Sequence, residues 1–278
     1  MPTETFASDS VTKLLERFAF QVNHTVHTSD PDSLHDLRVA TRRFAQSLYL
    51  FKAAFAGKEV KKIRGRLKDL MELTNAPRDC DVVLKLLPKS ELPGVDPLLE
   101  AVTARRKQAL RALIPALRRW GARETSSKWR AALFANGENQ DPFAETVRER
   151  LGDQIKRVLK EGGHARSPHA LHRARIAGKK LRYSFELLQP VYGERLTQAV
   201  TDIKIMQTLL GDMNDCVAAA DLVRELGGDQ DIESWLKKRQ KKKVREFRDE
   251  WPAIKDSLGV ALALVRHPEP KPAVLRAS

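Results

Sequence analysis

Apolar residues recur every three or four positions through nearly every segment of the chain, as in Leu14, Leu15, Phe18 and Val22. Few stretches alternate with the period of two that a strand requires. The pattern predicts an all-helical protein. Turn-forming clusters interrupt it at "TSDPDS", "AFAGKE", "TNAPRD", "ELPGVDP", "NGENQDP", "EGGHARSP", "YGERL" and "LGGDQD". Between these breaks the spacing predicts helices at roughly 8–27, 32–55, 58–75, 79–88, 95–120 and 126–135, then 142–161, 168–189, 193–211, 214–226, 230–249 and 252–266.

Two of these helices are copies of one another. "DPDSLHDLRVATRRFAQSLYLF" (30–51) aligns with "SPHALHRARIAGKKLRYSFELL" (167–188) at an offset of 137 without a gap. Each opens on a capping residue and a proline, Asp30-Pro31 and Ser167-Pro168, a start in which the missing proline N–H costs nothing. Leu34/Leu171, His35/His172, Arg38/Arg175, Ala40/Ala177, Ser47/Ser184 and Leu50/Leu187 are identical, and Arg42/Lys179, Arg43/Lys180 and Val39/Ile176 keep their character. "LKDLMELTNAPRDC" (67–80) and "IKIMQTLLGDMNDC" (203–216) extend the repeat at an offset of 136, with Asp-Cys expected in a turn. A unit about a domain long that occurs twice predicts two pseudo-symmetric four-helix bundles packed side by side rather than a solenoid. The expected limits are 1–136 and 142–267, joined at "NGENQDP", with 268–278 a proline-rich, unpacked tail.

The chain is long enough, at 278 residues and 42% hydrophobic, to build real cores. Its formal charge of +14 argues for an anionic partner, leaving nucleic acid, acidic membrane and free polyanions open. The start "MPTETFASDSVTKLL" lacks the basic flank and apolar core of a secretory signal, and no stretch approaches the roughly 20 apolar residues of a membrane span. A cytoplasmic protein without membrane contact is expected. Cys80 and Cys216, each after an aspartate, read as small buried helix residues, with a disulfide across the halves as the alternative.

At about 100° per residue, His35, Arg38, Arg42 and Gln46 share one strip, opposite Leu37, Ala40, Phe44, Leu48 and Phe51. His172, Arg175, Lys179 and Tyr183 repeat it, flanked by Arg182, with Lys180 and Arg43 off to the side. Neighbouring like charges on a helix cost a few tenths of a kcal/mol per pair, roughly, and neither helix places an acid to relieve them. An inert solvated face would tolerate any polar residue, whereas here the same histidine, arginine and paired cations return at the same heights. The faces therefore read as anion binding. Arginine forks suit phosphate oxygens, and with Tyr183 the sole aromatic on either strip there is little to stack on bases.

"LHDLRVATRRF", "LHRARIAGKKLRY", "RDCDV" and "LLGDMNDC", in this order and spacing, resemble the CHAD family of histidine-containing helical domains. The resemblance implies two four-helix bundles related by a pseudo-twofold axis and binding long-chain inorganic polyphosphate along a basic channel between them. On matching positions it implies binding roles for His35, Arg38, Arg42 and Arg43, for His172, Arg175, Lys179, Lys180 and Arg182, and for Lys68 and Lys204 on the third helices. Ala45 stands where the first motif often has another arginine, which implies an unequal grip. The ExExK pattern of the triphosphate tunnel domain often joined to CHAD domains does not occur, so a stand-alone copy is expected, in the cytoplasm, polyphosphate granules included.

Other chemistry reads weakly. His24/His27 and His169/His172 have a metal-like spacing without a third ligand, so no metal or other cofactor is expected. Asp79 and Asp215 read as caps or arginine partners rather than catalytic acids, and "KKRQKKKVR" (237–245) as a solvated face. The expected activity is binding without catalysis. Two rivals are a nucleic-acid-binding protein, which shares every electrostatic expectation, and a polyphosphate-processing enzyme using the motif histidines, for which no activating base stands at obvious spacing.

Overall fold

A computed structural model describes residues 2–123, 125–135 and 143–266, and among them every regular element is helical. The expected seam at 136–142 and the tail 268–278 lie outside the described residues. The elements are α1 (Glu4–Thr28), α2 (Pro31–Leu50), α3 (Gly57–Leu73), α4 (Asn75–Leu86), α5 (Val95–Ala122), α6 (Thr125–Phe134), α7 (Phe143–Gly163), α8 (Pro168–Tyr192), α9 (Thr197–Glu225) and α10 (Gln230–Arg266), with short 3-10 turns after α2, α4 and α8. Among the described residues no helix is long and apolar enough to cross a membrane.

The two basic helices begin as their sequences predict. Asp30 Oδ1 accepts from Ser33 N at 2.7 Å and Ser167 Oγ from Ala170 N at 3.2 Å, each satisfying one of the amides left free at a helix start. That backbone hydrogen bond is also the main reason the Asp30 carboxyl lies below its usual range. Further along, two expected breaks are absent. Residues 193–211 and 214–226 belong mainly to one helix, α9, because Gly211 and Asn214 weaken a helix without stopping it. The first repeat does break here, at Thr74, because Pro77 lacks an N–H and crowds the carbonyl one turn back; Met213 stands at the matching place in α9. Likewise α10 runs through Pro252, which the reading had placed at a helix start. Asp79-Cys80 and Asp215-Cys216 therefore sit on helices and not in turns.

Packing follows the apolar faces. Helices α7, α8, α9 and α10 touch in succession and α10 returns to α7, while α1 packs against α2 and α5. The largest group of buried residues crosses both halves of the sequence, from Ala7, Val11 and Leu15 to Leu258 and Val265. At its centre Phe18 stacks on Phe44 and Trp129, with ring centroids 6.0 and 6.1 Å apart, and meets the edge of Trp120 at 5.0 Å. A second group lies under α4, α5, α9 and α10 and holds Cys80 with Val83, and Cys216 with Val223, Ile232 and Leu236. Both cysteines are free and buried, and burial pushes the Cys216 thiol up to about 11.

Helix α10 lays Trp251 against Gly162 of α7, where an added Cβ would overlap the indole ring. Substituting Gly162→Ala should destabilise the protein by about 1–3 kcal/mol through overpacking, despite the better helix propensity of alanine, and urea unfolding will read the loss.

Candidate functional site: a cationic seam between two repeated helices

Helices α2 and α8 pack directly on one another. Three pairs define how. Arg38 feels Arg175, Arg42 presses on Lys179, and Gln46 Nε2 donates to Ser184 Oγ at 2.8 Å; these positions ascend both helices together, so the two run in the same sense. The joint at the top is polar and buried. Gln154 Oε1, from α7, accepts from Gln46 Nε2 at 3.1 Å and from Ser184 Oγ at 3.0 Å. Gln46 and Tyr183, expected on the open strips, are instead only 7% exposed each, because the strips turn toward one another at this height.

Below the joint the motif cations converge. Arg38 is buried, and its guanidinium donates to Thr74 Oγ1, to Met71 O at 3.3 Å and to Asn75 Oδ1 at 3.0 Å, which ties α2 to the α3–α4 junction. Among the described residues Arg42, Arg175 and Lys179 have no ion pair within 4.0 Å, and the Nε of Arg175 is buried without an acceptor. The cost is visible in protonation. Burial, then Arg42 and Arg175, pushes Lys179 down to about 6, against the opposing pull of Asp215. Burial, then Arg42, lowers Arg38 to about 9, still charged at neutral pH. Partial desolvation by the surrounding protein, then Arg78, lowers His35, a residue that stays exposed to solvent on the first turns of α2. His172 holds the same place on α8 and is also exposed.

Acidic groups do face the seam, contrary to the expectation drawn from each helix alone. Helices α4 and α9 pack together and bring up Asp79 and Asp215, which offset part of the field on Arg38 and on Arg175 and Lys179. They lie inside helices, so neither is a cap, and among the described residues neither forms an ion pair within 4.0 Å. Both carboxyls are raised, chiefly by burial among protein atoms. Arg78, beside Asp79, is a cation of this region that sequence reasoning missed: its field reaches His35, Arg38 and Asp215. Asn214 occupies the matching place in the second repeat, so no duplicated cation drew attention to it. Arg78 also lines a cavity of 140 Å³ with Lys85, Lys89, Asp215 and Arg239, the last from the basic run of α10.

The remaining expected residues part company with this seam. Arg43 and Arg182 both pair with Glu186, at 2.9 and 2.7 Å, and Arg182 also reaches Gln207. Lys180 points to a different group of cations, Arg64 and Arg157. Lys68 is exposed beside Glu72 at 3.6 Å and Lys204 is exposed on α9; neither is among the principal charges felt by His35, Arg38, Arg175 or Lys179. Among the described residues no three His, Cys, Asp or Glu side chains gather as a metal site would require.

An all-helical chain carrying a duplicated, inward-turned basic helix defines a recognisable class, and the chain belongs to the CHAD-domain family: the model of the CHAD domain matches residues 10–224. Its fold is similar to the crystal structure of the CHAD domain from the plant Ricinus communis, with a TM-score of 0.63 and 23% identity over 94% of this chain and 91% of that one. It is also similar to PptA from Streptomyces chartreusis, with a TM-score of 0.60 and 16% identity over 93% of this chain and 100% of that one. No curated protein matches the sequence.

Two arginines four residues apart should behave differently on truncation. Arg38→Ala strips three contacts at the α3–α4 junction and should cost about 1–3 kcal/mol in urea unfolding. Arg42→Ala should stay within about 0.5 kcal/mol of the parent and raise the Lys179 pKa, since Arg42 is the strongest charge acting on it; lysine NMR titration reads that shift.

Proposed function

We propose that this protein binds long-chain inorganic polyphosphate at the seam between α2 and α8 and holds it without cleaving it, as a cytoplasmic receptor or targeting module. The observation that carries the reading is that Arg42, Arg175 and Lys179 converge without a direct counter-ion among the described residues, with one guanidinium N–H buried and unmet. A ligand rich in phosphate oxygens supplies acceptors to every one of these donors, and arginine forks engage such oxygens bidentately. A carboxylate ligand offers fewer oxygens per unit length. Nucleic acid offers phosphates too, but the strips carry no exposed aromatic to stack bases, Tyr183 being buried. His35, Arg38 and Arg78 extend the positive field, and His172 extends it on the α8 side. Arg43 and Arg182 would join only by exchanging Glu186 for a phosphate.

Polyphosphate should displace bound RNA or duplex DNA from the protein, while excess nucleic acid should fail to displace polyphosphate; the reverse order in a competition assay would make this a nucleic-acid protein. Reversing Arg42 and Arg175 to Glu in a chain that still melts cooperatively should weaken polyphosphate binding at least about a hundredfold, from roughly 1.5 kcal/mol or more for each of two lost charged hydrogen bonds. Chains incubated with the protein and magnesium should keep their length on a sizing gel, and shortening would point to an enzyme.

Lys179 gives the pH dependence. In the empty seam it is largely neutral above pH 6, whereas a polyanion favours its charged form, so binding takes up a proton at higher pH. Affinity at fixed salt should therefore tighten as pH falls from 8 toward 6, by up to about tenfold per unit for one linked proton, and level off below about 6. The same depression makes the folded state hold fewer protons than the unfolded one between its value near 6 and the ordinary 10.5. This group's contribution to the stability of the ligand-free protein thus rises with pH across that window, and added polyphosphate should raise the melting temperature more at pH 6.5 than at pH 8.5.

A further inference from the structure

Lys180 follows Lys179 by one residue, yet it faces a separate cavity. This space of 180 Å³ is walled by Gln46 and Tyr49 of α2, Arg64 of α3, Asp153, Gln154 and Arg157 of α7, and Ala177 and Lys180 of α8. Its charges form their own group: Lys180 is lowered by burial, then by Arg157 and Arg64, and Arg64 by burial and by Arg150. None of the seam cations is among the charges felt by Lys180, so the buried Gln46–Gln154–Ser184 joint separates two positive regions.

The pseudo-symmetric position shows why this cavity is unusual. Lys180 corresponds to Arg43 and Tyr49 to Glu186 at the repeat offset of 137. On one side, Arg43 and Arg182 are quenched by Glu186. On the other, a tyrosine replaces the acid, and its ring carries two more cations, Arg64 at 5.4 Å and Arg150 at 5.8 Å from the centroid. Arg150 is spent on the backbone, donating to Tyr49 O at 2.7 Å. Among the described residues Arg64, Arg157 and Lys180 have no ion pair within 4.0 Å, and the one acid on the wall, Asp153, is held by Lys156 at 3.0 Å. A second sign is independent of charge. Gln154 is 7% exposed, and its Nε2 donor is buried with no acceptor while its Oε1 is used twice.

We propose that this cavity is a second anion site, separate from the seam, that takes a small inorganic phosphate such as pyrophosphate. Three cations without an ion pair among the described residues and an amide donor match the acceptors of one phosphate group, and 180 Å³ is the room of about six waters at roughly 30 Å³ each, enough for one or two such groups. The site stands whether or not the seam binds polyphosphate.

The test is calorimetry with pyrophosphate on the full chain carrying Arg42→Glu and Arg175→Glu, which removes the seam as a competitor. This variant should bind one pyrophosphate, and adding Arg64→Gln and Arg157→Gln, both on exposed side chains, should weaken it tenfold or more while leaving the melting temperature close to that of the seam variant. If the seam variant melts early, Arg42→Ala alone takes its place. Separately, Arg64→Gln with Arg157→Gln in the otherwise native chain should leave long-chain polyphosphate binding within about threefold. Pyrophosphate binding that is undetectable in the seam variant, or that survives the loss of Arg64 and Arg157, overturns the site; failure of the seam reading would appear instead as polyphosphate binding indifferent to Arg42 and Arg175.

Discussion

Packing α2 against α8 in the same sense is the constraint on which the site depends, because it brings like charge to like charge. Each helix alone is an amphipathic rod whose cations face water at little cost. Brought together, Arg38, Arg42, Arg175 and Lys179 share one field, and the depressed lysine records its burial first and then that repulsion. The apolar faces behind them and the buried polar joint of Gln46, Gln154 and Ser184 hold the helices in place against it. Buried polar groups stabilise such a contact when their partners are met, and here three hydrogen bonds join Gln46, Gln154 and Ser184 at a single height, with the Gln154 Nε2 donor alone left over.

Asp79 and Asp215 make the ligand-free state tolerable. They stand too far from the cations for a hydrogen bond, yet close enough to offset the field on Arg38, Arg175 and Lys179. Direct salt bridges would hold the cations closed, as Glu186 does for Arg43 and Arg182. Carboxylates at arm's length leave the donors free. The same two residues owe their position to the contact of α4 with α9 and to the small core around Cys80 and Cys216, so a packing feature remote from the basic helices sets the charge balance between them.

Much of this was readable before any coordinates. The caps at Asp30 and Ser167 gave the phase of both basic helices, and the unbroken offset between them identified His35, Arg38 and Arg42 with His172, Arg175 and Lys179. What escaped depends on partners distant in sequence. Glu186 lies 143 residues from Arg43, and no periodicity within one helix announces their ion pair. Lys180 left the strip because consecutive residues on a helix are about 100° apart, and the repeat cannot say what the second direction meets. Gly211 and Pro252 looked like stops, but α9 and α10 run through them, and the two helices pack on one another, the kind of tertiary contact that overrides local propensity.

The joint at the top of the seam also bears on mispairing between molecules. The two halves are alike enough that α2 of one chain could seek α2 of another. The buried positions of α1 and α7 match at an offset of 136, Val11 with Val147, Leu15 with Leu151 and Val22 with Val158, which sets Phe18 at the height of Gln154. A homotypic α2 pair would thus set the carboxamide of Gln46 beside a benzyl ring in place of the Gln154 carboxamide, leaving the Ser47 hydroxyl, the repeat equivalent of Ser184, as its one polar neighbour from the joint.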